Sequence, residues 1–170
     1  KGLAGWDQKL VQLKTEVTDA LKKIWNTTAE NAWIGLKKAP ERKVVKACSD
    51  SSGTAYGMVE FVNSIVMPDG EVGGLWSEFA DGQFVATSIF LRELIAACLC
   101  VMWLIRKYQV PLEINLGEDN TPAAHCLVAM YSTHELALRF LIQTHDALAK
   151  SSSILRVHRV VSADNASGPK

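Results

Sequence analysis

The chain predicts a three-layered α/β domain built on a mixed sheet. Three observations carry that expectation. Three strand-like runs follow one another between Val44 and Phe79; a long apolar helix centred on Leu94–Ile105 comes next; and two more strand-like runs, Leu112–Leu116 and Ile154–Val161, are separated by helical stretches. The order β-β-β-α-β-α-α-β is that of a three-stranded meander whose helices return to further strands. A right-handed crossover through the long helix would set the strands it joins parallel and adjacent.

The elements are read in order. Residues 6–25 repeat apolar groups at Trp6, Leu10, Leu13, Val17, Leu21 and Ile24, the stripe of an amphipathic helix with Lys9, Lys14, Asp19 and Lys22 on its wet side. Asn26-Thr27-Thr28 breaks it, and Ala29–Leu36 reads as a further short helix ended by Gly35 or Pro40. Lys37, Lys38, Arg42, Lys43 and Lys46 read as a basic linker, with a domain boundary near residue 40. The expected organisation is a helical extension over 1–40 and an α/β domain over 41–170. Val44, Val45, Ala47 and Cys48 then lead to Asp50, and Tyr56–Val62 follows, so the pair reads as a hairpin joined by Ser51–Thr54 with Gly53 supplying the turn.

Pro68-Asp69-Gly70 reads as a tight turn before a third strand through Val72–Phe79. Thr87 or Ser88 caps a helix that runs to about Tyr108, with Glu93, Ala96 or Ala97, Cys100 and Trp103 or Leu104 toward the sheet. The small residues would let it lie close. Pro111 opens the strand Leu112–Leu116, and Thr121 as N-cap with Pro122 at the first helical position starts a short helix to about Tyr131. His134 to about Lys150 is another, with Leu138, Leu141, Ile142 and Leu148 as its apolar groups. Ile154–Val161 is the last strand.

Composition sets outer bounds. Of the 170 residues, 48% are hydrophobic and 21% charged, the balance of a soluble globular protein with enough chain to bury a core. Net charge is zero but uneven: residues 1–46 carry ten Lys and Arg against five acids (+5), leaving eight against thirteen (−5) for the rest. That asymmetry suits a multivalent cation in the body and a polyanion near the extension, or simply two solvated surfaces. The longest apolar run is too short to span a bilayer. Cys48, Cys98, Cys100 and Cys126 lack zinc-ligand spacing and sit in apolar segments, so they read as reduced core residues of an intracellular protein. A chain that starts at Lys1 without Met reads as a piece of a longer one.

Three acids fall where chemistry is expected. Asp50 ends the first strand, Glu93 lies early in the crossover helix, and Asp119 follows the fourth strand. In open α/β sheets, sites form at the carboxyl ends of strands where connections diverge. Converging carboxylates repel unless cations compensate them, and an oxygen-only ligand set favours Mg²⁺ or Mn²⁺. The plainer reading makes Asp50 a turn cap. His125, His134 and His145 have no spacing for a shared metal, and Trp76 and Phe79 read as core.

S-D-S-S-G-T-A-Y-G, then R-E-L-I-A-A, then E-D-N-T-P-A-A resembles the ribonuclease H domain of retroelement reverse transcriptases, of the long-terminal-repeat or tyrosine-recombinase type, over roughly residues 43–168. The N-terminal helix resembles part of the connection segment that precedes this domain. The resemblance implies a ribonuclease H-like three-layer fold with a mixed five-stranded sheet and helices on both faces, its C-terminal helix truncated. It implies cleavage of the RNA strand of RNA–DNA hybrids with two Mg²⁺ or Mn²⁺ ions held by Asp50, Glu93, Asp119 and a fourth acid. That acid is Asp164 if Ala163-Asp164 matches the family's Ala-Asp pair. If Asn165 is the family's Asn instead, Ser167-Gly168 stands where the pair belongs and the acid is missing, as in a degenerate module of a domesticated protein. The turn residues Ser51, Ser52 and Gly53, together with Asn120, would touch the ribose 2′-hydroxyls, and Lys37, Lys38, Lys43 and Lys46 the phosphates. A reverse transcriptase domain would precede in the same polypeptide, and no membrane is implied.

Overall fold

A computed structural model describes Asp19, residues 39–82 and residues 84–161. The chain divides into two units at Ala39/Pro40, and the second carries every element below. Strand β1 (Lys43–Ser51) pairs antiparallel with β2 (Ala55–Val62), and β2 with β3 (Ile65–Leu75). A 3-10 turn over Phe79–Gly82 leads to helix α1 (Ile89–Tyr108), then β4 (Leu112–Glu118), α2 (Thr121–Ala129), α3 (Glu135–Lys150) and β5 (Ile154–Arg159). The five-stranded sheet runs β3-β2-β1-β4-β5 and is mixed, β4 being parallel to both β1 and β5.

The order of elements is the one the apolar patterns predict, with several local differences. The strands joined by α1 are parallel in sense but not adjacent, because β2 and β1 lie between β3 and β4. The β1–β2–β3 meander already occupies one edge of β1, so β4 takes the other. The second hairpin turns at Asn63-Ser64, not at Pro68-Asp69-Gly70. Both turn residues have positive φ (52° and 65°), and Val62 pairs directly with Ile65, as a two-residue hairpin whose twist matches its strands requires. Pro68-Asp69-Gly70 lies inside β3, at an irregularity opposite Glu60 where the register shifts. Gly70 is needed there: a Cβ would come within 2.7 Å of the Met67 Cβ and 3.0 Å of the Glu60 carbonyl. Phe79, expected to end the third strand, falls in the 3-10 turn.

Gly53 does not turn the first hairpin through a positive φ. The turn is closed by Ser52, whose Oγ accepts from the backbone N–H groups of Thr54 (3.2 Å) and Ala55 (2.9 Å). Lys43 and Lys46, expected in a basic linker, are exposed residues of β1, where hydrophobic alternation with Val45 and Ala47 starts the strand earlier than the charges suggest. Lys37 and Lys38, the helix over 6–25 and the short helix over 29–36 lie outside the described residues. The short helix after β4 is capped by Asn120, not Thr121: Asn120 Oδ1 accepts from Ala123 N at 3.0 Å, and Pro122 sits in the first turn.

α1 begins where Ser88 Oγ accepts from Leu91 N, and it ends at Gln109 in the left-handed conformation. Ala96, Ala97 and Cys100 are fully buried and let it lie close to Val45, Ala47, Ile114 and Leu116 of the sheet. Each fully buried Leu or Ile contributes roughly 1.5–3 kcal/mol. α3 packs on α1 through Ala137, Leu141, Thr144 and Leu148, whereas Ile142, expected inside, is exposed. At the far end of α1, Glu60 is buried at 1% exposure and satisfied by Lys107 Nζ (2.7 Å) and the Tyr108 hydroxyl. All four cysteines are free, Cys98 and Cys100 buried. No helix among the described residues is long and apolar enough to cross a membrane.

Candidate metal centre

Three elements deliver one carboxylate each. Asp50 comes from the end of β1, Glu93 from the first turns of α1, and Asp119 from the residue after β4. One oxygen from each lies within 4.8 Å of the others, and among the described residues this is the only group of three acidic, histidine or cysteine side chains so arranged. Parallel pairing of β1 and β4 explains the convergence: Cys48 opposes Gly117, and each ligand-bearing Asp stands two residues beyond that pair. The Cys48 and Val160 side chains fill the space beside position 117 and leave no room for a side chain there. A Cβ would sit 2.7 Å from Cys48 Sγ and 3.0 Å from Val160 Cγ1.

The electrostatics are those of crowded acids. Burial pushes the Glu93 carboxyl up to about 9, and Glu118, Asp50 and Asp119 add to the rise. Asp50 is also raised, first by burial, against which the Ser51 backbone N–H works. The direct Asp50–Glu93 contact acts in opposite senses on the two, lowering Asp50 and raising Glu93. Glu93 is 5% exposed, and its Oε2 has no hydrogen-bond partner. A buried carboxylate oxygen left unpaired beside other acids is costly. A hard divalent cation removes that cost, and the all-oxygen donor set fits one.

A further acid, Glu118, stands behind these three. Glu118 is fully buried; its Oε1 accepts from Asn120 N at 3.0 Å, and Ser49 Oγ lies 3.5 Å from its Oε2. Burial pushes it up to about 8, with Asp119 contributing after the opposing Asn120 N–H. Sequence reasoning stopped at Asp119 and missed it. The signal was present: Leu112, Ile114 and Leu116 alternate inward along β4, and the next inward position is 118.

The turn behind Asp50 is fastened from two sides. Trp76 is fully buried among Tyr56, Phe79 and Phe84, and its Nε1 donates to Ser51 Oγ at 3.0 Å while its backbone N donates to Thr54 O at 2.8 Å. From α1, Arg92 Nη1 donates to Gly53 O (3.1 Å) and to Val85 O (3.0 Å). Ser51 is thus inward and engaged, Ser52 closes its own turn, and Gly53 is exposed with open space where a side chain would project. Asp164 lies outside the described residues.

Solved structures to which this chain is similar include ribonucleases H. RNase H1 from Halobacterium salinarum matches 72% of this chain and 89% of its own at TM-score 0.53 and 16% identity. LC11-RNase H1, solved in complex with an RNA/DNA hybrid, matches 72% and 88% at TM-score 0.55 and 13% identity. The N-terminal RNase H domain of a Mycobacterium tuberculosis protein matches 72% and 84% at TM-score 0.53 and 14% identity. The fold is ribonuclease H-like. No protein-family model and no curated protein matches the sequence. Within the ribonuclease H-like fold, the three-acid cluster lies at the carboxyl ends of the two central parallel strands, where such α/β sheets place their sites.

Proposed function

We propose that residues 41–170 are a metal-dependent endonuclease that hydrolyses the RNA strand of RNA–DNA hybrids, with Asp50, Glu93 and Asp119 holding Mg²⁺ or Mn²⁺. The observation that carries this reading is the three-element carboxylate cluster with an unpartnered, buried Glu93 oxygen. The ribonuclease H-like fold and the hybrid bound to LC11-RNase H1 support the choice of substrate. When bound, a pair of such ions supplies Lewis acidity toward water and the scissile phosphate.

The chain's own residues do the rest. β1 and β4 bring Asp50 and Asp119 together two residues past the paired Cys48 and Gly117, and α1 inserts Glu93 from the side. The exposed Gly53 leaves room for a nucleic-acid backbone at the turn of Ser51, Ser52 and Gly53. Asn120 uses its carbonyl oxygen as the α2 cap, which leaves its amide N–H groups for a ribose hydroxyl. Asp164 supplies the fourth acid. Lys37, Lys38, Lys43 and Lys46 attract the phosphates of the hybrid. The 1–40 extension acts as a connection segment following a reverse transcriptase domain of an intracellular retrotransposon protein.

The test is cleavage of a hybrid labelled on its RNA strand, with Mg²⁺ or Mn²⁺, by the wild-type protein and by Glu93→Gln. The wild type should cut RNA in the hybrid and spare DNA–DNA duplex. Glu93→Gln should lose cleavage while binding hybrid with nearly unchanged affinity, because the ligand acts on the transition state more than on backbone contacts. Hybrid bound but left intact by the wild type with either metal would refute the nuclease and leave a binding module.

A further inference from the structure

We propose that Arg92 is the positioning residue of the carboxylate cluster, tying the turn behind Asp50 to the start of α1 so that the Asp50 and Glu93 oxygens stay at cation-binding distance. This rests on the metal-centre reading above. Arg92 stands directly before Glu93 in α1, and its guanidinium reaches two carbonyls from different segments. Gly53 O belongs to the turn that follows Asp50; Val85 O belongs to the segment that leads into α1. One planar cation thus spans both sides of the Asp50–Glu93 gap. Both bonds leave the single Nη1, so one nitrogen at the end of one side chain carries the tie.

Two further facts separate positioning from charge compensation. Arg92 makes no ion pair among the described residues, although it lies beside a cluster of acids. Its Nη1 is instead given to carbonyl oxygens, and its buried Nε has no partner at all. A guanidinium placed to neutralise Asp50 or Glu93 would bond to them. This one bonds to the backbone that carries them. The other fastenings of the turn, from Trp76 and from Ser52, hold it to β3 and to itself. Among the described residues, Arg92 alone ties it by a side chain to α1.

The experiment is Mn²⁺ titration by calorimetry into the wild type, Arg92→Ala, Arg92→Lys and Glu93→Gln, with melting of each measured in chelator. Removing a residue that orients ligands costs about 10–100-fold in metal affinity. Arg92→Ala should therefore bind Mn²⁺ at least tenfold more weakly while remaining folded at the titration temperature. Arg92→Lys, which keeps donors enough for both carbonyls but carries them on a more flexible stem, should fall between. Raising Mn²⁺ should restore hybrid cleavage to Arg92→Ala but not to Glu93→Gln, because the first keeps its ligands and the second has lost one. Equal Mn²⁺ affinity in wild type and folded Arg92→Ala overturns the proposal alone. So does an affinity loss that merely tracks the unfolded fraction, or an Arg92→Lys as weak as Arg92→Ala that extra Mn²⁺ cannot rescue. A wild type that binds no Mn²⁺ overturns the metal centre, and this proposal with it.

Discussion

Replacing Glu93 by Gln should stabilise the metal-free protein, and by an amount that grows with pH. Glu93 is 5% exposed and faces Asp50 from β1 and Glu118 and Asp119 from the end of β4. Its carboxyl ordinarily titrates near 4.5 but is pushed up to about 9 in the folded protein. Above about pH 4.5 the unfolded chain releases a proton that the folded chain keeps. Stability is therefore complete below that pH and is lost as pH climbs through about 9, with Glu118 and Asp50 acting in the same direction. One such proton gives a slope of up to about 1.4 kcal/mol per pH unit. Between pH 5 and pH 7 the Glu93 share is thus up to about 3 kcal/mol, or roughly 6–12 °C in melting temperature for a chain of this size. Glutamine keeps the shape and cannot ionise. Thermal melts in chelator should show the two proteins nearly equal at pH 5 and the variant ahead by several degrees at pH 7. In millimolar Mn²⁺ the order should reverse, because only the wild type keeps the full ligand set and binding to the native state alone adds stability. Parallel melting curves from pH 5 to pH 8 in chelator would refute the reasoning, since Glu93 would then carry no excess proton.

Asp119→Asn should abolish the rise in melting temperature that Mg²⁺ or Mn²⁺ gives the wild type, with the far-ultraviolet circular dichroism unchanged. Gly117→Ala should cost about 1–3 kcal/mol by overpacking against Cys48 Sγ and Val160 Cγ1, and should weaken Mn²⁺ binding by separating the strands that carry Asp50 and Asp119. Adding Cys48→Ala should recover part of both losses, which a double-mutant cycle would detect. Lys107→Met leaves Glu60 without its cation and should destabilise the fold by roughly 1–3 kcal/mol in urea melts, without altering Mn²⁺ affinity, because that pair lies at the other end of α1. Replacing Lys37, Lys38, Lys43 and Lys46 by Ala should flatten the dependence of log K on log salt for hybrid binding by about one unit for each phosphate that a lysine no longer neutralises. An unchanged slope would return those lysines to solvated surface.

The carboxylates were legible in the sequence because each is an oddity in its own neighbourhood. Asp50 follows a run of apolar and small residues, Glu93 is the one acid in a mostly apolar helix, and Asp119 sits between a strand and a well-capped helix. The helix start at Ser88 and the order of elements were readable for the same local reason. What failed was whatever depends on pairing. Pro68-Asp69-Gly70 is the stronger turn signal by composition, yet β3 absorbs it as an irregularity opposite Glu60 and Asn63-Ser64 turns instead. Glu118 hides beside Asp119 until the inward alternation of β4 is followed one step past its last leucine. Ser51, Gly53, Arg92 and Gly117 have unremarkable identities, and their roles exist only in contacts with segments far along the chain. Trp76 lies 25 residues from Ser51, and Arg92 lies 39 from Gly53. A ligand announces itself by its chemistry, one residue at a time, whereas the framework that sets ligand spacing is a property of pairs. The decisive test of the framework is therefore a change that leaves every carboxylate in place, as Arg92→Ala and Gly117→Ala do. If metal affinity falls in both while the fold survives, the spacing of the cluster, not its acidity alone, is what these contacts maintain.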